Sequence, residues 1–118
     1  MDKYWKEKWV DALRSGGYIQ TKGALSRLED GPDGVDTYCC LGVLCELFPG
    51  TEKIECEEDN DDGPVIEYKI MDTLGSYRLP TYIKNIVDIS NYRESTLVKM
   101  NDDGKTFEEI ADHINDYM

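Results

Sequence analysis

The pattern of apolar and polar positions predicts a helix near each end of the chain. The first has apolar residues at three- and four-residue spacing and stops at Gly16-Gly17; these residues are Trp5, Trp9, Ala12 and Leu13. The second spans residues 106–117, and Glu109 completes a capping box with Thr106. Its apolar face consists of Phe107, Ile110, Ala111 and Ile114. Both helices are expected to pack on the core.

A central segment, residues 39–48, is apolar nearly all round. It reads Cys-Cys-Leu-Gly-Val-Leu-Cys-Glu-Leu-Phe, and Pro49-Gly50 ends it. A helix with so little polar surface belongs in the middle of a fold. Gly42 would let another backbone approach this helix closely. Two further helices are predicted at residues 80–87, where Pro80 occupies the first turn, and at residues 95–100.

Turn-forming residues predict two pairs of strands. Residues 24–29 and 35–38 flank Asp-Gly-Pro-Asp-Gly, which suggests one hairpin. Residues 53–57 and 65–70 alternate in part and flank Asp-Asn-Asp-Asp-Gly-Pro, which suggests a second, solvated one. The predicted fold class is therefore α+β: a small single domain over residues 1–118, with a central buried helix, one or two β-hairpins and flanking helices. A chain of 118 residues can bury a core of its own.

Charge is distributed unevenly along the chain, which has a formal net charge of -12. Residues 1–29 carry six basic and four acidic side chains, whereas residues 30–118 carry seven basic and 21 acidic ones. Direct binding of nucleic acid is not expected, because phosphate backbones are bound by clustered Lys and Arg. No apolar run is long enough for a membrane span, and the N-terminus lacks the apolar core of a signal peptide.

Three stretches, read in order, resemble one known group of proteins. They are residues 9–20, residues 38–47 with the Cys-Cys-Leu-Gly-Val-Leu-Cys core, and residues 100–114. Together they are similar to a family of small proteins encoded by tailed bacteriophages and prophages, and the resemblance spans almost the whole chain except the acidic hairpin at residues 51–70. The resemblance implies a phage gene expressed in the cytoplasm of an infected bacterium. It implies no catalytic residue.

The four cysteines are expected to be reduced thiols in such a cytoplasm. Cys39, Cys40, Cys45 and Cys56 lack the paired spacing of a zinc knuckle, so we interpret them as small hydrophobic residues. The alternative is a Cys-dependent hydrolase with Cys39 or Cys40 as nucleophile, because a helix start lowers a thiol pKa. Its base would have to be His113, the single histidine, which we expect to face solvent.

The acidic loops do not match a calcium-binding pattern, and neither a metal nor any other cofactor is predicted. With Gly63 as position six of an EF-hand loop, Lys69 falls at position twelve, where a ligating Glu is required. Acidity instead suits a binding protein, because rows of carboxylates compete with phosphates for Lys and Arg. The predicted function is non-enzymatic interference with a host factor or defence system. The expected partner is a host protein, and a basic protein that binds nucleic acid is one such partner. The proposed contact residues are Glu57, Glu58, Asp59, Asp61 and Asp62.

A second alternative is a protein that sequesters a nucleotide immune signal without cleaving it. The basic N-terminal quarter would bind the anion through Lys22 and Arg27, together with Tyr18 and Gln20. Surface charge alone also explains these residues, so the sequence leaves the choice open. It also leaves the oligomeric state and the identity of the partner open.

Overall fold

The computed structural model describes residues 1–29, 35–56 and 64–118. Its helices are α1 (Lys3–Arg14), α2 (Cys40–Glu46), α3 (Thr81–Val87), α4 (Asn91–Asp102) and α5 (Phe107–Tyr117). Its strands are β1 (Ser26–Glu29), β2 (Val35–Tyr38), β3 (Glu52–Cys56), β4 (Val65–Ile70) and β5 (Thr73–Gly75). The predicted α+β class, with two hairpins and a buried central helix, is confirmed.

The strands form one antiparallel sheet with the order β2-β1-β4-β3, and β5 also pairs with β4. Both predicted hairpins are present as β1-β2 and β3-β4. Arg27 faces Val65 in the register that joins them. The connections at residues 30–34 and 57–63 lie outside the described residues. Strand β3 lies at the edge of the sheet, and all of its residues except Cys56 are exposed.

The helix boundaries follow local capping chemistry. The capping box of Thr106 and Glu109 is formed at the start of α5, as predicted. Pro80 is the N-cap residue of α3, one position before the helix begins. Helix α4 is longer than the predicted residues 95–100, because the Ser90 side chain accepts a hydrogen bond from the Arg93 N–H and starts the helix earlier.

Among the described residues, no helix combines the length and the apolar character that crossing a bilayer requires.

Helix α2 lies in the centre of the core, and residues 40–45 are all buried. Three hydrogen bonds hold its first turn. The Cys39 N–H donates to the Leu25 carbonyl over 2.9 Å, and the Trp9 indole donates to the Cys40 carbonyl over 2.8 Å. The Cys40 N–H donates to the side-chain oxygen of buried Asn101 over 3.2 Å. The start of α2 is therefore attached to α1, to α4 and to the segment that leads into β1.

Gly42 lies where α2 meets the backbone of Leu25. A Cβ atom at this position would overlap the Leu25 carbonyl oxygen, which is a backbone atom and cannot rotate away. The predicted reason for Gly42, close approach of another backbone, is confirmed.

Replacing Gly42 with alanine is expected to destabilise the protein strongly. Gly42→Ala forces α2 away from Leu25, and overpacking of a rigid core costs about 3 kcal/mol or more. The matched control is Gly17→Ala, whose Cβ meets only the Ser15 hydroxyl at 3.4 Å and is expected to change stability by less than about 1 kcal/mol. Urea unfolding followed by circular dichroism measures both. Equal stabilities of the two variants would contradict the packing described here.

Candidate functional site

Four exposed or half-exposed carboxylates lie on and beside the edge of the sheet. Glu52 and Glu55 belong to β3, Glu67 lies on β4, and Asp72 is in the turn between β4 and β5. We call these four residues the acidic edge. None of them forms an ion pair with another described residue. Their negative charge is therefore not paired with a described cation, although Lys69 lies opposite Glu52 in the register of β3 and β4.

Lys53 is the one cation within β3, and its ammonium group forms ion pairs with acids of other elements. Its ammonium group lies 2.8 Å from Glu46 Oε1 and 3.2 Å from Asp36 Oδ2. Partial burial disfavours the charged form, but Glu46 and then Asp36 outweigh burial and raise the pKa of Lys53. Lys53 therefore neutralises acids on α2 and β2 rather than those of the acidic edge.

The predicted partner-binding residues continue directly from this edge. Glu57, Glu58, Asp59, Asp61 and Asp62 lie outside the described residues. The structure fixes the two ends of their segment, because Cys56 and Val65 face each other in the register of β3 and β4. The role of the five acids stays a prediction.

Two of the four residues predicted to bind a nucleotide contact other parts of the fold through their side chains. The Gln20 amide donates to Asn101 Oδ1 over 2.9 Å and to the Lys105 carbonyl over 2.7 Å. The ring of Tyr18 packs edge-on against Tyr38, with centroids 5.3 Å apart. Both side chains thus connect the segment before β1 to neighbouring elements.

The two predicted cations on that side differ in exposure. Arg27 is 6% exposed, and its guanidinium donates to the Lys22 carbonyl over 3.2 Å. Lys22 itself is exposed, and its ammonium lies near Gly104. The structure therefore brings these residues near one another but places the Arg27 side chain in the interior. Ligand binding here stays a prediction.

Three of the cysteines are buried around the start of α2. Cys39 is the N-cap residue and 5% exposed, whereas Cys40 and Cys45 are fully buried. A hydrogen bond with Cys39, followed by burial, raises the pKa of Cys40, and burial is the main cause that raises the pKa of Cys45. At Cys39 burial also raises the pKa, but hydrogen bonds from Cys40 and from backbone N–H groups of α2 outweigh it and lower the pKa.

His113, the base that a hydrolase would need, is half-buried on α5 rather than facing solvent freely as we expected. Its ring lies 5.0 Å from that of Tyr117, and its Nε2 atom is buried without a hydrogen-bond partner in the described part of the protein. We expect the helix face beyond the apolar stripe to be open, but the His113 ring is only partly exposed and lies against the Tyr117 ring of the next turn. Within residues 1–29, 35–56 and 64–118, no group of three or more His, Cys, Asp and Glu residues could hold a metal ion.

Sequence reasoning missed a polar cluster between α3 and α4. Glu94 is 3% exposed, and its Oε1 lies 3.3 Å from the Arg78 guanidinium and 4.0 Å from the Lys84 ammonium. Its Oε2 accepts the backbone N–H of Leu79 over 3.0 Å. In the sequence, Glu94 resembles any surface acid of a helix. No local signal marks it, because its partners come from a different segment.

Comparison with protein families matches residues 1–118 to the model described as Domain of unknown function (DUF8296). The chain belongs to the DUF8296 family. Comparison with curated proteins and comparison with solved structures each found no match. The DUF8296 description names no activity, so the phage origin inferred from the resemblance stays a prediction. For this member of DUF8296, the arguments about function come from its own residues.

Thiol labelling separates buried from reactive cysteines. We expect iodoacetamide to label half-exposed Cys56 at least about tenfold faster than Cys39, Cys40 and Cys45, because access limits the last three despite the lowered pKa of Cys39. Peptide mass spectrometry after timed labelling measures each rate. All four should react at similar rates in 6 M guanidinium, which is the control. Labelling of native Cys39 as fast as Cys56 would support the hydrolase alternative instead.

Proposed function

We propose that this member of DUF8296 is a phage-encoded, non-enzymatic binding protein that interferes with a host factor through its acidic surface. The surface consists of the acidic edge and the five acids at residues 57–62. The observation that carries the proposal is that the four described carboxylates of this edge have no ion-pair partner among the described residues. A basic partner would supply the missing charge.

The strand that carries the edge is well suited to contact a partner. Strand β3 pairs with β4 along one side and is exposed over residues 52–55. Ile54, at its centre, is 40% exposed, shares a face of the strand with Glu52 and lies opposite Glu67, so it can add apolar contact beside these two acids. Edge strands that present charge and unpaired backbone are accessible for recognition by another chain.

The partner favoured by this surface is a host protein that binds nucleic acid. Such a protein presents Lys and Arg for phosphates, and carboxylates spaced along a strand compete for the same groups. With a net charge of -12, the protein would also associate quickly with a basic surface at low salt. Salt should therefore weaken the complex mainly by slowing association.

The two alternatives receive less support from the geometry. A nucleotide-sequestering site on Tyr18, Gln20, Lys22 and Arg27 requires side chains of which Gln20 and Arg27 already bind the fold itself. A Cys-dependent hydrolase requires access to Cys39 or Cys40, and both sulfur-bearing residues are at most 5% exposed. We therefore propose the binding function first and keep the others as outcomes of the tests.

Photo-crosslinking in bacterial cells tests the proposal. With the photo-reactive residue benzoylphenylalanine in place of Glu55, we expect a crosslink to a basic host protein, because Glu55 lies on the exposed edge. The same residue in place of Asp11, an exposed position on α1, is the positional control. Identification of the adduct by mass spectrometry gives the partner and its charge.

A charge-matched pair of variants completes this test. Changing Glu57, Glu58, Asp59, Asp61 and Asp62 to their amides should reduce the Glu55 adduct by about tenfold or more. The control changes five other exposed acids to their amides, so that both variants gain the same net charge; these are Glu7, Asp11, Asp88, Asp103 and Asp116. The control should retain the adduct. Equal yields from both variants, or an adduct only from the Asp11 position, would refute the acidic surface as the contact.

A further inference from the structure

A cavity of about 330 Å³ lies between the first turns of α3 and α4. Its lining includes residues 78, 79 and 81, Lys84 on α3, and residues 91, 94 and 95 on α4. Thr81 and Lys84 are three residues apart on α3, so they share the face of that helix that lines the cavity. Asn91, Glu94 and Ser95 share a face of α4 in the same way. The two helix faces thus direct polar side chains toward one space.

The charges around this cavity do not balance. Glu94 is the one acid of the lining, and both Arg78 and Lys84 approach its Oε1 atom, at 3.3 Å and 4.0 Å. Two cations therefore share one buried carboxylate, which leaves about one positive charge at the cavity. Half of the Arg78 side chain is exposed, at 53%, so its guanidinium can reach a ligand from the solvent side.

The lining is also rich in hydrogen-bond donors. One Arg78 nitrogen donates to Ser95 Oγ over 2.9 Å, and the Ser95 hydroxyl still has a proton to give. Thr81 contributes a second hydroxyl and Asn91 an amide. The Glu94 carboxylate is already used, since it accepts from Arg78 and from the Leu79 N–H. A ligand with several acceptor oxygens and negative charge fits this set of groups best.

We infer that this cavity binds the phosphate group of a small molecule, with Arg78 and Lys84 as the cationic contacts and Thr81, Asn91 and Ser95 as hydrogen-bond donors. Arginine forms paired hydrogen bonds with phosphate oxygens, and lysine adds a point charge. The overall charge of -12 does not prevent binding, because charges beyond about 8 Å are largely screened at physiological ionic strength. The site is separate from the acidic edge and does not depend on the proposed function.

Titration followed by NMR tests this site. Inorganic phosphate and phenyl phosphate are added separately to the ¹⁵N-labelled protein, with sodium chloride at equal ionic strength as the blank. We expect saturable shifts of the Thr81, Lys84 and Ser95 amide signals with phosphate-bearing probes and none with the blank. Tighter binding of phenyl phosphate would identify a phosphate ester as the ligand, and tighter binding of inorganic phosphate would identify the free anion. Absence of saturable shifts with both probes would overturn the inference.

Two variant pairs show whether the named side chains bind the probe. Arg78→Gln with Lys84→Gln should weaken binding by about tenfold or more. Arg93→Gln with Lys99→Gln, on the same helix α4 as Glu94, removes the same charge from two residues that do not line the cavity and should leave the affinity within about twofold. Equal weakening by both pairs would show that the probe senses net charge alone and would refute the site.

Removing both Arg78 and Lys84 leaves the buried Glu94 carboxylate without its cations, so the first pair of substitutions can unfold the protein. A further variant therefore tests the site without changing any charge. Thr81→Val with Ser95→Ala removes two hydroxyls and no charge. It should weaken phosphate binding by about threefold to tenfold, the range for lost neutral hydrogen bonds. A folded double variant that binds both probes as tightly as the wild type would contradict the assigned donors.

Discussion

The fold depends on how the backbone is satisfied where α2 begins in the core. A helix start exposes unpaired N–H groups, and in the interior these groups must find partners other than water. Here the Cys40 N–H donates to the Asn101 side chain, and the Cys39 N–H donates to the Leu25 carbonyl. The Cys40 carbonyl, in turn, accepts a hydrogen bond from the Trp9 indole. Each partner lies on a different part of the chain. The central helix is therefore the joint that sets α1, α4 and the start of the sheet relative to one another.

This arrangement separates the interior of the protein from its recognition surface. The thiols around α2 fill the core, and the start of the helix is held by hydrogen bonds with three other parts of the chain. The acidic edge lies at the surface, on β3, on β4 and in the turn after β4, and the exposed residues of β3 contribute little to the core. A binding surface can therefore carry uncompensated charge there without burying it, and burial is where such charge is costly. The proposed phosphate site uses a third region, the facing first turns of α3 and α4.

Local signals in the sequence predicted most elements, and the exceptions have a common cause. The apolar run of α2, the capping box of α5 and the turn residues between strands are all contained within a few neighbouring positions. Helix α4 was underestimated because two of its three buried residues are Glu94 and Asn101, whose burial depends on partners far along the chain. Strand β5 was missed because Met71 and Asp72 form its turn with positive φ and without glycine. The number of acids in the edge is visible in the sequence, but the ion pair between Lys53 and Glu46 is not, because it depends on how α2 packs against β3.

The most direct test of the central claim is native-state hydrogen exchange. The account predicts that the Cys39, Cys40 and Val43 amides exchange only through global unfolding, because their hydrogen bonds hold the joint of the fold together. Amides of β3, at the exposed edge, should exchange through local opening with a lower free energy. Exchange of the α2 amides at a lower free energy than those of β3 would contradict the account. In that case α2 would be a locally mobile segment, and the case for recognition by the exterior alone would fail.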